Sequence, residues 1–241
     1  MRHFGIIGFP LVQSFSAKYF NEKFATSGID AEYSLYPTEV ENLKLTVERL
    51  LDTLDGMNVT IPYKQAIIPY LDRLDETAEA IGAVNVVHKH VGYNTDCLGF
   101  IDSIHPLLRA DDRKALVLGT GGASKAVCYG LRKLGVIPTL VSRTPKAGML
   151  GYKDLTEDIM KEHTLIVNST PLGMFPEVDA CPDIPYAFIT AQHLLFDCIY
   201  NPEETLFLHK GKAQGATTQN GMEMLYGQAK AAWKIWNGLV D

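Results

Sequence analysis

The chain has 241 residues, 46% hydrophobic and 21% charged, which is enough to build two domains of ordinary size and too apolar for a disordered chain. Its formal net charge is −6 and it has no Lys/Arg-rich run, so it lacks the electrostatic footprint of a nucleic-acid or anionic-membrane binder, and any anionic ligand must be held by local groups. Every apolar run falls far short of the ~20 residues that span a bilayer, and MRHFGIIGFP has no separate signal core or cleavage site, so a cytoplasmic protein is expected.

In chain order, HFGIIG reads as a short buried strand. SAKYFNEKFATSG follows as a helix, with Tyr19/Phe20 and Phe24 at helical spacing and Gly28 as its stop. AEYSLYPT reads as strand, VENLKLTVERLLDT as helix, GMNVTIP as strand, KQAIIPYLDRL and DETAEAIG as helical pieces, and AVNVVHKHVGYN as a hairpin or strand pair. A second unit opens near Gly99 with helical GFIDSIHPLL. It continues through KALVLG as strand, ASKAVCYGLRKLG as helix, and VIPTLVS, HTLIVNS and HLLFDCIY as strands separated by helical or loop material. Short apolar strands alternating with helices imply a parallel sheet covered on both faces, a doubly wound domain. GMEMLYGQAKAAWKIWNGL reads as a closing apolar helix that carries Trp233 and Trp236 back to the first domain. The expected class is therefore α/β with two domains, residues 1–98 plus the C-terminal helix 222–241, and residues 99–221. Cys97, Cys128, Cys181 and Cys198 make no C-x-x-C pair and the histidines make no H-E-x-x-H, so no metal is expected.

Some polar residues do not fit a plain core. NVTIPYK, residues 58–64, sets Asn58 and Thr60 among apolar neighbours and ends on Lys64. Asn85, Asn94 and Asp96 also stand at or near the ends of apolar strands, where a polar group is costly unless it finds a partner. Turn chemistry accounts for Asn94 and Asp96 but not for Thr60 and Lys64. In SFS, Ser16 reads as a helix N-cap, and Ser14 with Ser16 also suits a carboxylate.

GTGGAS, residues 119–124, stands between a strand and a helix. Gly119 and Gly121 permit a tight turn, the helix N-terminus offers N–H groups to a pyrophosphate, and Ser124 takes the place where Gly or Ala is usual. The next strand ends at Ser142, 23 residues past Gly119, where an NAD-binding chain places Asp or Glu. Here Ser142, Arg143 and Thr144 stand instead, and a cation with hydroxyls suits a 2′-phosphate, so NADP is expected rather than NAD. NSTPLGM, residues 168–174, follows its strand at a carboxyl end, where open α/β sheets bind ligands.

Taken in order, GFPLVQSFS, NVTIPYK, GAVN, GYNTD, GTGGAS, SRT, NSTPLGM, DCIYNPEET and NGMEMLYGQA resemble the shikimate dehydrogenase family over nearly the whole chain. The resemblance implies an NADP-dependent oxidoreductase of aromatic amino-acid biosynthesis that interconverts 3-dehydroshikimate and shikimate, with a substrate-binding catalytic first domain and a Rossmann-like NADP-binding second domain. It implies that Ser14 and Ser16 bind the substrate carboxylate, that Thr60, Asn85, Tyr200 and Gln228 address the ring and its hydroxyls, and that Lys64 and Asp96 form the catalytic pair. It places the cofactor along Gly119, Gly121, Gly122 and Ala123, its adenosine phosphate at Ser142, Arg143 and Thr144, and its nicotinamide near Cys198 and Gly221. Three positions depart from the family's usual pattern: Ala17 stands for proline, Val86 for threonine and Ser142 for asparagine. The resemblance leaves a monomer or a homodimer open. The alternatives are a quinate/shikimate dehydrogenase using NAD and a non-catalytic NADP-responsive binding protein.

Overall fold

The computed structural model describes residues 1–12 and 14–239. Gln13, inside GFPLVQSFS, and the last two positions of the expected 222–241 segment lie outside the described residues. The chain divides into two compact units, Met1–Thr95 with Ala229–Asp241, and Asp96–Gln228.

The first unit contains β1 (Arg2–Gly8), α1 (Phe15–Ser27), β2 (Ala31–Pro37), α2 (Leu43–Thr53), β3 (Gly56–Val59), β4 (Arg73–Leu74), α3 (Glu76–Ile81), β5 (Val86–His88) and β6 (Val91–Tyr93). Among the described residues its sheet runs β2-β1-β3-β5-β6-β4, parallel on the β2-β1-β3 side and antiparallel through β3-β5-β6. The expected hairpin is β5–β6. Lys89 and His90 turn it with φ of 48° and 62°, the left-handed pair that suits a two-residue turn. Alternation along the strands sends Ile7, Met57, Val59 and Val87 to one apolar layer and Phe4, Ile6, Tyr33 and Val86 to the other.

The expected helix over 64–74 does not form. Its residues make a turn, a short 3-10 segment Ile68–Tyr70 and strand β4, because Pro69 supplies no N–H to a helix and the fully buried Ile67 pins the turn instead. GMNVTIP stops being strand at Val59, since the Thr60 carbonyl turns to accept the Tyr63 N–H at 2.9 Å.

The second unit follows with α4 (Asp96–Ile104), β7 (Lys114–Leu118), α5 (Gly122–Lys133), β8 (Ile137–Ser142), β9 (Leu150–Gly151), α6 (Glu157–Glu162), β10 (Leu165–Asn168), β11 (Leu194–Asp197), α7 (Leu206–Ala213), β12 (Thr217–Gln219) and α8 (Met222–Trp236). Helix α4 starts at Asp96, three residues before the expected Gly99. Among the described residues the sheet is wholly parallel in the order β12-β11-β10-β7-β8-β9. Its buried strands feed two cores in alternation: Ala115, Val117, Leu165, Val167 and Phe196 on one face, Leu116, Leu118, Ile166 and Leu195 on the other. This is the two-faced burial expected of a doubly wound sheet. The chain leaves β7 for β8 on one side and returns to β10 on the other, so the topological switch lies between β7 and β10.

Helix α8 begins in the second unit and ends in the first, where Ala229, Ala232, Ile235 and Trp236 join the layer of Phe4, Phe20 and Tyr33. The Trp236 ring lies against Gly56, where an added Cβ would stand 2.3 Å from Cδ1, and its Nε1 donates to the Val87 carbonyl at 3.2 Å.

Candidate active site

In the first unit the helix α1 cap belongs to Ser14. Its backbone is extended at φ −145° and ψ 130°, and its hydroxyl accepts the Ser16 N–H at 3.1 Å, which corrects the expectation that Ser16 is the cap. Ser16 lies in the first turn, buried, with its hydroxyl hydrogen-bonded to the Tyr33 phenol. Burial holds that phenol well above its ordinary pKa of 10.0, and the Ser16 bond pulls it partway back.

From Tyr33 a string of buried hydrogen bonds crosses the sheet. The Tyr33 hydroxyl donates to Asn58 Oδ1 at 2.6 Å, and Asn58 Nδ2 donates to the Asn85 carbonyl at 3.2 Å. Asn85 Oδ1 accepts the Thr95 N–H at 2.7 Å while its Nδ2 donates to Thr95 Oγ1 at 3.0 Å. Asn94 Nδ2 donates to the Ala83 carbonyl at 2.9 Å. Among the described residues no buried side-chain nitrogen or oxygen lacks a partner, and Asn58, Asn85 and Asn94, which looked costly in sequence, find theirs in Tyr33, Thr95 and backbone carbonyls.

Thr60 and Lys64 stand on the turn after β3. Gly8 lets this turn come close, since an added Cβ there would lie 2.4 Å from Thr60 Cγ2. The residues beside Lys64 are pegged: Tyr63 is 1% exposed with its hydroxyl on the Thr38 carbonyl, and Ile67 is 0% exposed. The Lys64 carbonyl accepts the Val84 N–H at 2.7 Å, which ties the lysine's backbone to the residue beside Asn85. The lysine itself is half-buried, on a turn whose backbone is pinned at both sides.

In the second unit Asp96 is 9% exposed and opens α4, where the helix N-terminus favours a carboxylate. One turn later an added Cβ on Gly99 would lie 2.3 Å from the Met224 carbonyl and 2.8 Å from the Gln228 N, so α4 and α8 meet backbone to backbone. That contact brings together the helices carrying Asp96 and buried Gln228, whose Nε2 donates to the Leu225 carbonyl at 3.0 Å.

Gly119 leaves β7 with φ of 107°, a conformation that favours glycine, and Gly121 stands at the cap of α5 with open space where a side chain would be. No side chain caps this twelve-residue helix, and the first N–H groups of any helix lack intrahelical acceptors, so Gly122 and Ala123 offer donors to an anion. Ser124 is turned away from that role, since its Oγ donates to the Gly121 carbonyl at 2.6 Å. Ser169 follows β10 on the other side of the switch and donates from Oγ to the Leu118 carbonyl at 2.6 Å. Beyond β8, Ser142 Oγ accepts the Thr144 N–H at 3.2 Å, and this small turn presents Arg143 to solvent. Cys198 and Gly221 touch: an added Cβ on Gly221 would be 2.3 Å from the Cys198 carbonyl, and its N–H donates to the Ile199 carbonyl at 2.9 Å. Tyr200 follows, 37% exposed.

Sequence reasoning assigned nothing to Tyr33, Thr95 or Asp197. Asp197 is fully buried at the end of β11, and burial pushes its carboxyl up to about 6 against the hydrogen bonds of Thr205, Ile199 and Asn168. Its signal was an acid ending the wholly apolar run LLF.

Residues 6–87 match the family described as shikimate dehydrogenase substrate binding domain. A relative from Methanosphaera stadtmanae named shikimate dehydrogenase (NADP(+)) is 37% identical over 97% of this chain and 90% of its own length. One of the same name from Aquifex aeolicus is 39% identical over 98% and 91%. The crystal structure of the shikimate dehydrogenase from Aquifex aeolicus superposes with a TM-score of 0.89 at 36% identity, covering 99% of this chain and 93% of that one. The shikimate 5-dehydrogenase from Thermus thermophilus, in complex with NADP(H) and shikimate, gives 0.89 at 30% identity over 100% and 95%. With likeness of this extent in both sequence and fold, the chain belongs to the shikimate dehydrogenase family.

Proposed function

We propose that this protein catalyses the reversible NADPH-dependent reduction of 3-dehydroshikimate to shikimate, in the biosynthesis of chorismate and the aromatic amino acids. The observation that carries the reading is the full-length match to NADP(+)-dependent shikimate dehydrogenases. The pinned Lys64 turn and the uncapped glycine turn at the sheet's switch supply the two halves of the chemistry.

Ser14 and Ser16 at the start of α1 receive the substrate carboxylate, and Thr60, Asn85, Tyr200 and Gln228 address the ring and its hydroxyls. The residues around Gly119 fit a dinucleotide: Gly121 leaves open space beside the turn, Gly121, Gly122 and Ala123 give the pyrophosphate backbone N–H groups, and Ser142, Arg143 and Thr144 meet the 2′-phosphate. Cys198 and Gly221 face the nicotinamide. When bound, NADPH supplies a hydride to the ring carbonyl carbon.

Lys64 meets the oxygen of that carbonyl. Its ammonium stabilises the charge that develops there and gives up the proton; in the oxidation direction the amine takes the proton back. Asp96 is the second member of the catalytic pair and bonds a substrate hydroxyl. Among the described residues the four cysteines form no disulfide, which accords with work in the reducing cytoplasm, as a monomer or a homodimer.

The test is absorbance at 340 nm with shikimate or quinate and NADP or NAD in parallel. Turnover confined to shikimate with NADP is expected. Preference for quinate or NAD would move the protein to a quinate dehydrogenase, and absence of turnover would make it an NADP-responsive binding protein. Lys64→Ala is expected to lower kcat by about 10²–10⁴-fold in a folded protein, and retention of most turnover would remove the lysine from its role.

A further inference from the structure

Three segments of the second unit converge on one buried side chain. Asp197 is 0% exposed at the last position of β11. Its Oδ1 accepts Asn168 Nδ2 at 3.1 Å and the Ile199 N–H at 3.0 Å, and its Oδ2 accepts Thr205 Oγ1 at 2.6 Å. Asn168 ends the neighbouring strand β10 in register with Asp197, and Thr205, also 0% exposed, caps α7.

Because the carboxylate only accepts, it fixes which way the Asn168 amide points. The amide nitrogen faces Asp197, so the amide oxygen faces forward and accepts both the N–H and the hydroxyl of Thr170, at 3.0 and 2.7 Å. That sets the first turn of the 168–174 loop. The same carboxylate holds the Ile199 N–H, while the Cys198 N–H pairs with the Asn168 carbonyl at 2.9 Å and the Ile199 carbonyl accepts the Gly221 N–H at 2.9 Å. The loop at the switch, the Cys198–Tyr200 segment and the start of α8 thus all take their geometry from one group. Packing alone does not call for an acid here, since an ionised carboxylate at full burial is costly.

We propose that Asp197 is a positioning residue for the cofactor: its carboxylate clasps Asn168, the Ile199 backbone and Thr205 so that the nicotinamide half of NADP is held in one pose. The proposal rests on the dehydrogenase reading above. It separates the two halves of the cofactor, because the three bonds of the clasp reach neither Gly121 nor Arg143, the groups that meet the phosphates.

The test compares binding of NADP+ with binding of 2′,5′-ADP, which lacks the nicotinamide, by calorimetry on the full-length protein and on Asp197→Ala and Asp197→Asn. Asp197→Ala is expected to weaken NADP+ by about 3- to 10-fold and leave 2′,5′-ADP unchanged. The kcat for shikimate should fall by about 10- to 100-fold. Asp197→Asn keeps an acceptor for Asn168 and Ile199 and should recover most of both losses. Equal weakening of the two nucleotides, no weakening of either, or failure of Asp197→Asn to recover would overturn the proposal. Should Asp197→Ala not fold, Thr205→Ala, which removes one of the three bonds, carries the same comparison. If the parent protein binds NADP+ but oxidises no shikimate, the dehydrogenase reading fails by itself, and the nucleotide comparison still decides the role of Asp197.

Discussion

Replacing Tyr33 with phenylalanine removes one oxygen from the middle of the buried string that starts at Ser16. The aromatic ring stays, stacked on Phe20 with centroids 5.1 Å apart and planes 14° apart, so little packing is lost. What is lost is the 2.6 Å donor to Asn58 Oδ1 and the partner of the Ser16 hydroxyl. Asn58 is 4% exposed and water does not easily take the vacated place. An acceptor left unsatisfied at that depth costs about 1–3 kcal/mol, so destabilisation of about 2 kcal/mol is expected. Both tryptophans, Trp233 and Trp236, lie in the first unit, so urea unfolding followed by tryptophan fluorescence reads this unit directly. With Ser16 no longer held, the KM for shikimate should rise about fivefold, equivalent to about 1 kcal/mol of binding, while kcat and the KM for NADP+ stay put. A loss of stability with an unchanged shikimate KM would refute the link from Tyr33 to the carboxylate site proposed at Ser14 and Ser16. A variant within about 0.5 kcal/mol of the parent would refute the energetic reading of the whole string.

Asp197→Asn tests the burial of the clasp through pH. The native carboxyl is raised from its ordinary 3.8 to about 6, so the stability of the neutral acid is fully present below about pH 4 and lost as pH rises through about 6. At about 1.4 kcal/mol per pH unit this amounts to about 3 kcal/mol. The asparagine variant should therefore match the parent at about pH 4 and exceed it by up to that amount at about pH 8 in denaturant titrations; a difference that does not change with pH would contradict this. Gly56→Ala drives a methyl to within 2.3 Å of the Trp236 ring and should cost about 1–3 kcal/mol, read by the same fluorescence transition. Arg143→Ala should raise the KM for NADP+ on the order of tenfold and leave any activity with NAD untouched; equal effects on both cofactors would take Arg143 away from the 2′-phosphate.

Much of the second unit was legible because its signals are local. The apolar runs of β7 and β10 alternate between two cores, and the glycine turn after β7 needs φ of 107° at Gly119, a demand written in the residue itself. The 64–74 segment misled because Ile67, Ile68 and Leu71 stand at helical spacing, while beside Pro69 the burial of Ile67 in one core with Met57 and Val59, which shapes the turn, is tertiary. Strands β4, β9 and β12 have two or three residues each, and neighbours rather than their own sequence define them. At the site, Lys64, Asn85 and Asp96 stood out as polar residues against apolar surroundings. Tyr33 did not, because an aromatic in a strand reads as core until its hydroxyl is seen to join Ser16 to Asn58. Asp197 carried a visible signal, an acid closing a buried strand, but its three partners are spread from Asn168 to Thr205.

The way the chain leaves the first unit at Thr95 and re-enters it at Ala229 has a consequence for synthesis on the ribosome. The aromatic layer of Phe4, Phe20 and Tyr33 is complete only when Trp236 arrives. At about 5–20 residues per second, the 141 residues from Thr95 to Trp236 take roughly 7–28 s to emerge, long after the N-terminal strands are out. During that interval Phe4, Phe20 and Phe24 lack their cover, whereas Asp96–Gln228 has all its own strands before the chain ends. The part made first is thus finished last, and a nascent chain stalled before Ala229 would expose that aromatic surface to chaperones.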